Sequence, residues 1–429
     1  MSTPVQGKVR DLPRSFEART ARPIEGGATT ANGALSVVLV STQREWYGGE
    51  EQAWLLARGL RGSGSKCSIL ARRDGAFAER MAREGFEVAT FSGNGRSLSA
   101  LWQIRRHLVR IRPDVLHYND PHAISSAGLA SLGLGIPARI AARRVDFAVR
   151  FAARYRWLCD RVVCVSREVA RVCRESGIPP HLLRVVPDGV DPSRIRSGDR
   201  QRGRRALGLS KGQPLLLTVA KLTDHKGHKY LIEALPAVLK AHPQACAALV
   251  GDGGLSGELR AQAKRLGIDS HVRFLGYRDD VPDLIAAADL FVFPSHMEGL
   301  GSTLIDVMLA GRALVTTTAG GIPDLTGSDD PHAEPVAWTV PPRDHQALAE
   351  AILEALASPE KCAVFQERAR RRAEQLFTAG RMIDATLRVY RELIPHCGAA
   401  FEQGITTDTS ACRPMAVATR GRPAPGRIL

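Results

Sequence analysis

Short runs of apolar residues alternate with longer amphipathic segments through the first half of the chain. Such runs are typical of strands buried in a parallel sheet, and the longer segments carry apolar residues at helical spacing. The runs predict strands at Leu35–Val40, Cys67–Ala71, Glu87–Phe91, Val115–His117, Ala138–Ala142, Arg161–Ser166 and Leu183–Val186. The segments between them predict helices at Glu50–Arg61, Phe77–Glu84, Ser97–Ile111, Ala123–Leu134 and Arg167–Ser176. This alternation indicates a doubly wound parallel sheet.

A second alternating series follows a polar, irregular segment, Asp188–Arg205, which we interpret as an interdomain linker. Its strands are predicted at Leu215–Ala220, Ala247–Val250, Val272–Leu275, Leu290–Pro294 and Ala313–Thr317. Its helices are predicted at Lys229–His242, Leu255–Leu266, Asp280–Ala287, Thr303–Ala310, His345–Ala357 and Ala363–Leu376. Two Rossmann-like α/β domains that face each other would place the carboxyl ends of both sets of strands on one cleft.

The length of 429 residues is enough for two domains, each with its own core. We predict the first domain at residues 35–200, the second at 201–380, and a last helix within 381–397. Residues 1–34 and 398–429 mix Arg, Pro, Gly and Thr without periodicity, so they predict a disordered arm and tail.

The spacing of the cysteines and the length of the apolar runs indicate the cellular compartment in which the protein is expected. None of the eight cysteines forms a C-x-x-C pair, which argues against a zinc site and a disulfide framework and favours a reducing compartment. No run of 18 apolar residues predicts a membrane span, and the first residues lack the apolar core of a secretory signal. We therefore expect a cytoplasmic protein.

Positive charge is concentrated in the first half of the chain. Residues 35–200 carry 27 Lys and Arg against 16 Asp and Glu, whereas residues 201–395 carry 23 of each. Such a surface should attract an anionic membrane, an acidic glycan or a nucleic acid. The stretch Arg139–Arg174 holds ten Arg and three acids, with Phe147, Phe151, Tyr155 and Trp157 among them. This composition suits a membrane interface or nucleic acid, and a solvated face is the alternative.

Candidate chemistry lies between a predicted strand and the helix that begins near Ser302. Glu298 and Asp306 stand eight positions apart, on either side of a short loop that consists of Gly299, Leu300 and Gly301. Glycines allow a ligand to approach the backbone, and a helix N-terminus suits a phosphate. Carboxylates suit hydroxyls instead, so the combination indicates a nucleotide sugar. The alternative is a strand–turn–helix with two solvated acids.

This segment resembles the signature of family 4 glycosyltransferases, which are retaining enzymes of the GT-B fold. Their Glu, seven residues, Glu pattern is matched by Glu298 and Asp306, and the resemblance spans roughly residues 35–395. It implies that Glu298 contacts the transferred sugar, that Asp306 contacts the ribose, and that the last helix crosses back to the first domain. It also implies that the donor lies mainly on the second domain, against Gly299, Leu300, Gly301 and Ser302.

Further motifs occur in the family's order. Lys221 and Lys226 match an Arg and a Lys that neutralise the departing diphosphate, although Lys lacks the bidentate fork of Arg. Gly48 and Gly49 match a pair that faces the donor phosphates, and Tyr277 lies in a segment near the base. The Gly pair is not a G-x-G-x-x-G, so a nicotinamide fingerprint is absent there.

The acceptor side departs from the family pattern. Asn119 stands where the family often has a histidine near the reacting sugar, and His122 is the nearby candidate to replace it. Arg144 and Asp146, at the end of another predicted strand, are further candidates for acceptor binding. The alternative for the histidine is a packing or capping role, and for Arg144 and Asp146 a place on the surface.

No D-x-D motif occurs, so we expect no metal or cofactor beyond the co-substrate. The leaving-group charge would then be met by Lys221, Lys226 and helix N-termini. These observations predict a transferase that moves a sugar from a nucleoside diphosphate to an acceptor hydroxyl, and the resemblance implies that the anomeric configuration is retained. We expect a glycan or lipid-linked acceptor, peripheral association with an anionic membrane at its inner face, and no nucleic acid. The alternatives are a sugar phosphorylase, a nucleotide-sugar epimerase, or a non-catalytic basic binding protein.

Overall fold

A computed structural model describes residues 34–93 and 95–394. The predicted arm, apart from Ala34, and the predicted tail lie outside the described residues, as does the end of the predicted segment 381–397. The described residues contain two parallel sheets, of seven and six strands, as the alternation predicts.

The first sheet has the strand order β3-β2-β1-β4-β5-β6-β7, and every neighbouring pair is parallel. Its strands are β1 Ser36–Ser41, β2 Lys66–Arg72, β3 Glu87–Phe91, β4 Val115–Tyr118, β5 Ala138–Arg143, β6 Arg161–Cys164 and β7 Leu183–Val185. Its helices are α1 Gly48–Gly62, α2 Ala76–Arg83, α3 Leu98–Ile111, α4 Pro121–Ala123, α5 Ala152–Leu158 and α6 Arg167–Glu175. The chain order reverses between β1 and β4, which places a crevice at their carboxyl ends.

The second sheet has the order β10-β9-β8-β11-β12-β13 and is also parallel. Its strands are β8 Leu215–Val219, β9 Cys246–Val250, β10 Val272–Gly276, β11 Leu290–Phe293, β12 Leu314–Thr317 and β13 Trp338–Val340. The remaining helices are α7 Pro192–Arg196, α8 Arg200–Ala206, α9 His228–Ala241, α10 Ser256–Arg265, α11 Val281–Ala287, α12 Ser302–Leu309, α13 Ile322–Thr326, α14 His345–Ala357, α15 Pro359–Leu376 and α16 Ala379–Arg391.

The segment between the domains differs from the prediction. Asp188–Arg205 contains α7 and most of α8 rather than an irregular linker, and α8 packs against α11. A Cβ on Gly203 would lie 2.2 Å from the Asp283 carbonyl oxygen, so glycine permits the close approach. The Asp283 carboxylate accepts a 2.8 Å hydrogen bond from the Asp199 amide and pairs with Arg202. Tertiary charge pairing thus stabilises a helix that has too little apolar periodicity to predict.

Four other elements also differ, and one of them is the unpredicted five-residue α13. The predicted helix Ala123–Leu134 continues from α4 into a π-helical turn, Ile124–Gly128, and the sequence reading missed α5 and β13. The three-residue β13 and the seven-residue α5 are too short for a periodic signal.

The last helix packs on the first domain rather than on the second. The α16 helix lies against α1, where a Cβ on Gly59 would stand 2.3 Å from Ile383 Cδ1. Tyr390 is fully buried, and its hydroxyl shares a 2.7 Å hydrogen bond with Nδ1 of His117 at the end of β4. Burial lowers the pKa of His117 to about 3, so the ring is neutral at physiological pH.

The substitution Tyr390→Phe tests this docking contact. It leaves His117 Nδ1 buried without its partner, which should lower the free energy of unfolding by about 1–3 kcal/mol. Chemical denaturation measures the change. The matched control is Tyr277→Phe, whose side chain is 76% exposed and should change stability by less than about 0.5 kcal/mol. Equal losses in both variants would contradict the assignment.

Candidate active site

Glycine-containing loops bring the carboxyl edge of the second sheet together. The loop after β8 meets the loop after β11, since a Cβ on Gly227 would lie 1.9 Å from the Pro294 carbonyl oxygen. The loop after β12 meets the same segment, since a Cβ on Gly320 would lie 2.0 Å from the Glu298 carbonyl oxygen. Both glycines have positive φ, at 68° and 54°, which other residues rarely adopt. Three loops are thus packed at backbone contact.

An ion pair lies at the junction of these loops. Lys226 Nζ stands 2.5 Å from Glu298 Oε2, and both side chains are largely buried. Ser295 Oγ donates a 3.4 Å hydrogen bond to the same carboxylate oxygen, and the Gly321 amide donates a 2.8 Å bond to the Glu298 carbonyl. The structure therefore brings together two residues that the sequence places 72 positions apart.

The loop that follows Glu298 contacts both domains. A Cβ on Gly299 would lie 2.0 Å from the Arg144 carbonyl oxygen of the first domain. Ser166 Oγ, at the end of β6, donates a 2.6 Å hydrogen bond to the Gly299 carbonyl. The Leu300 side chain is only 2% exposed and belongs to the apolar core, so this predicted site residue offers a ligand its backbone alone. Gly301, at φ 92°, starts α12.

A chain of buried hydrogen bonds crosses from the first domain to the second. Glu50 Oε1 accepts 3.0 Å bonds from Ser41 Oγ and from Asn119 Nδ2. Asn119 Oδ1 in turn accepts a 2.9 Å bond from the Arg144 guanidinium. The predicted acceptor residues Asn119 and Arg144 are thus adjacent, but their polar groups are already bonded within the protein.

Arg144 extends the chain to the second domain. Its Nε donates a 3.1 Å hydrogen bond to Asp188 Oδ1, and Ser302 Oγ donates a 3.1 Å bond to Asp188 Oδ2. Burial raises the pKa of Asp188 and of Glu50, while Arg144 opposes both shifts. The Ser302 hydroxyl therefore ties the start of α12 to the first domain.

A second cross-domain contact involves Asp306. Arg194, on α7, lies 3.9 Å from Asp306 Oδ2 and 3.3 Å from Glu51 Oε1 of α1. Asp306 Oδ1 is buried and has no hydrogen-bond partner among residues 34–93 and 95–394. Burial raises the pKa of Asp306 to about 6, partly offset by Arg194. The carboxylate is held in place with one oxygen unsatisfied.

The first loops of the two domains face each other. The Lys221 ammonium lies 5.0 Å from the centre of the Tyr47 ring, just before Gly48 and Gly49 at the start of α1. A Cβ on Gly49 would contact Asn119 Nδ2 at 3.6 Å. Tyr277 is exposed, its amide bonded to Asp252 at 3.1 Å. Burial and the neighbouring Asp279 carboxylate raise the pKa of the Tyr277 phenol.

The two remaining acceptor candidates, Asp146 and His122, lie in different surroundings. Burial raises the pKa of Asp146, with Glu298 as a further, like-charged contribution and His225 as an opposing one. The loop that carries Glu298 packs against the segment that carries Asp146, since a Cβ on Gly299 would lie 2.0 Å from the Arg144 carbonyl oxygen. His122 is exposed and bonds Arg96 through Nδ1, and no contact described here joins it to Asn119 or Arg144.

The sequence analysis did not predict His225 as a residue of the site. Its ring contacts Phe147 edge-on at 6.3 Å across the cleft, and burial lowers its pKa, with Lys226 adding to the shift. Its position next to Lys226 in the same loop could have indicated that His225 belongs to the site.

No group of three or more His, Cys, Asp or Glu that could hold a metal ion occurs within the described ranges. Among those residues, no helix is both long and apolar enough to cross a bilayer.

Two Rossmann-like domains with charged loops on a shared cleft define the GT-B class of fold. Alr3699/HepE from Anabaena, solved in complex with UDP, has this fold and matches with a TM-score of 0.73 and 23% identity. The match covers 84% of this chain and 100% of that one. The prediction of a GT-B fold is confirmed.

The family follows from two family models. The model for group 1 glycosyl transferases matches residues 199–372, and the model for glycosyltransferase family 4 matches residues 46–194. The two matches are consecutive and together cover both domains, so the chain belongs to the group 1, family 4 glycosyltransferases.

Two relatives show how far the similarity extends. D-inositol 3-phosphate glycosyltransferase of Saccharomonospora viridis is 31% identical over 242 residues, which cover 54% of this chain and 55% of that protein. The UDP-Gal:alpha-D-GlcNAc-diphosphoundecaprenol alpha-1,3-galactosyltransferase of Escherichia coli is 26% identical over 182 residues, which cover 39% and 46%. The chain thus spans about half the length of these relatives.

The buried Asp306 carboxylate should make stability depend on pH. Its pKa rises from 3.8 to about 6 on folding, so the ionised form destabilises the folded state. Asp306→Asn should raise the free energy of unfolding at pH 8 by on the order of 1–3 kcal/mol. The wild type should recover this difference as the pH falls through about 6 towards 4.

Urea denaturation between pH 5 and pH 8 measures this difference. The matched control is Asp384→Asn, an exposed carboxylate on α16, which should change stability by less than about 0.5 kcal/mol throughout. A pH-independent effect of Asp306→Asn would contradict the account.

Proposed function

We propose that this protein transfers a sugar from a nucleoside diphosphate to an acceptor hydroxyl, with retention of anomeric configuration. The observation that carries the proposal is the Lys226–Glu298 pair, 2.5 Å apart, in a nest of glycine loops at the carboxyl edge of the second sheet. A nucleotide sugar joins its diphosphate directly to the sugar. Its binding site therefore needs a cation for the diphosphate beside a carboxylate for the sugar hydroxyls. Family membership and a UDP-bound structural neighbour support this reading.

The donor would lie on the second domain and reach the first. In our proposal Lys226 and Lys221 hold the diphosphate, assisted by the amides at the start of α12. Glu298 accepts hydrogen bonds from hydroxyls of the transferred sugar, and Asp306 accepts them from the ribose. Gly48 and Gly49 face the phosphates from the opposite wall, and Tyr277 lies near the base.

The chemical step would need no strong protein base. The bond between the anomeric carbon and the diphosphate oxygen breaks, and the new bond forms to the acceptor oxygen on the same face. The departing phosphate takes the acceptor's proton, while Lys221 and Lys226 stabilise the negative charge that develops on it. In our proposal Asp146, on the segment that packs against the Glu298 loop, orients the acceptor hydroxyl.

The acceptor is inferred from charge. Both relatives are named for acceptors that carry phosphate, inositol 3-phosphate in one and a diphosphoundecaprenol-linked sugar in the other. A phosphate-bearing acceptor suits a first domain with 27 Lys and Arg against 16 acids in residues 35–200. We therefore propose a role in cell-surface glycan or lipid-linked saccharide synthesis, at the inner face of an anionic membrane.

The direct test is a screen of UDP- and GDP-sugars by thermal shift, followed by a transfer assay. A bound donor raises the melting temperature by mass action. Release of free nucleotide that depends on an added acceptor identifies a transferase. Release without acceptor would instead indicate a hydrolase, and interconversion of the sugar without release would indicate an epimerase.

The loop lysine provides a sharper test of mechanism. Lys226→Ala removes a charge preorganised beside the leaving group and should cost about 2–4 kcal/mol of transition-state stabilisation, measured as a fall in kcat/KM. The matched control is Lys229→Ala, three residues along, whose ammonium pairs with exposed Asp224 at 2.9 Å. Its kcat/KM should stay within about twofold, as an exposed pair contributes little. Unchanged turnover in Lys226→Ala would remove that residue from the mechanism.

Metal dependence provides an independent test. If Lys221, Lys226 and the helix N-terminus stabilise the leaving group, activity should survive EDTA undiminished. The assay compares initial rates with and without EDTA, and after adding Mg²⁺ or Mn²⁺. A strict requirement for either ion would contradict this account of charge stabilisation.

A further inference from the structure

Most arginines of the basic stretch Arg139–Arg174 do not form a free positive surface. Seven of the ten arginines in Arg139–Arg174 bond to groups within the fold. Arg154 bonds Ser125 Oγ, and the partners of the other six are acidic side chains in four cases, a backbone carbonyl in one, and the Asn119–Asp188 network in another. The six are Arg139, Arg143, Arg144, Arg161, Arg167 and Arg171. The positive surface must therefore lie partly elsewhere.

Three neighbouring segments supply it. Residues 95–113, 121–137 and 148–158, which we call the arginine–tryptophan face, contain eight arginines and no Asp or Glu. Arg110 pairs with Glu87 at one edge. Six others have no acidic partner within the described part of the chain: Arg105, Arg106, Arg112, Arg150, Arg154 and Arg156. An uncompensated basic surface of this size attracts an extended anion.

The same face exposes unusually many large apolar side chains. Fifteen such side chains are exposed in the described residues, and seven of them lie on these three short segments. Leu98 is 85% exposed, Trp102 61%, Phe151 69% and Trp157 75%. The other three are Val109, Leu129 and Leu132. An exposed apolar cluster of this kind marks a binding surface rather than an ordinary solvated face.

The three segments form one continuous surface. The π-helical turn Ile124–Gly128 packs between α3 and α5. The Arg105 guanidinium donates hydrogen bonds to the carbonyls of Ala130 and Leu132, at 3.0 and 2.8 Å, and so ties α3 to the segment after the turn. Arg154 donates a 3.3 Å bond to Ser125 Oγ and ties α5 to the other side of the turn.

We propose that the arginine–tryptophan face docks on the surface of an anionic lipid bilayer. Tryptophan and arginine suit the headgroup region, and exposed leucine and phenylalanine suit the boundary with the acyl chains. Nucleic acid would satisfy the arginines but offers no partner for Leu98, Leu129 and Leu132. A protein partner would need acids for the arginines, whereas a bilayer supplies both chemistries without a specific fit.

The position of the face relates it to the cleft. The segments α4 and α5 follow β4 and β5, whose carboxyl ends carry Asn119, Arg144 and Asp146. Phe151 is five residues from Asp146, so a docked face holds the acceptor side of the cleft at the bilayer. This orientation rests on the proposed function, and it favours an acceptor whose reactive hydroxyl projects from a lipid headgroup.

Vesicle flotation with the full chain tests the proposal. Wild type should float with phosphatidylglycerol–phosphatidylcholine vesicles and not with phosphatidylcholine alone. Binding should weaken between about 0.1 M and about 1 M salt, where the Debye length falls from roughly 10 to 3 Å. Arg106→Glu/Arg156→Glu should lower the partition coefficient by at least about thirtyfold, since each basic residue near such a surface contributes about fivefold. Trp102→Ala/Trp157→Ala should lower it at high salt as well.

The matched control carries the same kinds of change on the other domain. Arg205→Glu/Leu376→Ala alters an exposed arginine and a 48% exposed leucine and should float like wild type. The thermal shift with UDP serves as the fold and donor-site check in every variant. Equal flotation with neutral vesicles, equal losses in the control, or tighter binding to RNA than to anionic vesicles would overturn the docking proposal. An intact UDP shift alongside any of these would leave the transferase proposal standing.

Discussion

The partly buried Arg144 guanidinium is the contact on which the geometry of the cleft depends. It leaves the end of β5 and is bonded on one side to Asn119 and on the other to Asp188. Asp188 is bonded in turn to Ser302, at the start of α12. Removal of one partner would leave an uncompensated charge in the interior, which costs several kcal/mol. The relative placement of the two domains therefore follows from satisfying these buried charges.

Backbone contacts through glycine make this arrangement possible. Gly299 and Gly321 let the loops after β11 and β12 press against Arg144 and Ser166 of the first domain, with no room for a Cβ on either. Glu298 precedes Gly299, and its carbonyl accepts a hydrogen bond from the Gly321 amide. Backbone contacts therefore position Glu298 as much as Lys226 does. The close approach explains why the strongest motif in the sequence is rich in glycine, because the acids alone would not fix their own positions.

The sequence predicted most strands and the donor loops because these signals are local. Continuous apolar runs mark β1 and β8, and glycine next to Glu298 marks a loop of close approach. It did not predict α8, which is held by Asp283 from a distant helix, or the commitment of Arg144 to Asn119 and Asp188. Nor did it show that α3 and α5, which carry the exposed Trp102 and Trp157, would pack on the same π-helical turn. Each of these features depends on contacts between residues far apart in the chain, and the local sequence pattern does not predict such contacts.

The buried Asp306 carboxylate costs folding free energy, which a hydrogen-bond donor from the proposed substrate would offset. Asp306 Oδ1 is buried without a hydrogen bond, although a ribose hydroxyl is the kind of donor it lacks. Arg194, which bridges Asp306 and Glu51 between the domains, gives this carboxylate partial compensation at 3.9 Å. Stability is therefore lower than the fold alone would allow, and the deficit lies at the point where the proposed substrate binds. Under the proposed function, the folding free energy lost at Asp306 would be regained as affinity when a ribose hydroxyl donates to this oxygen.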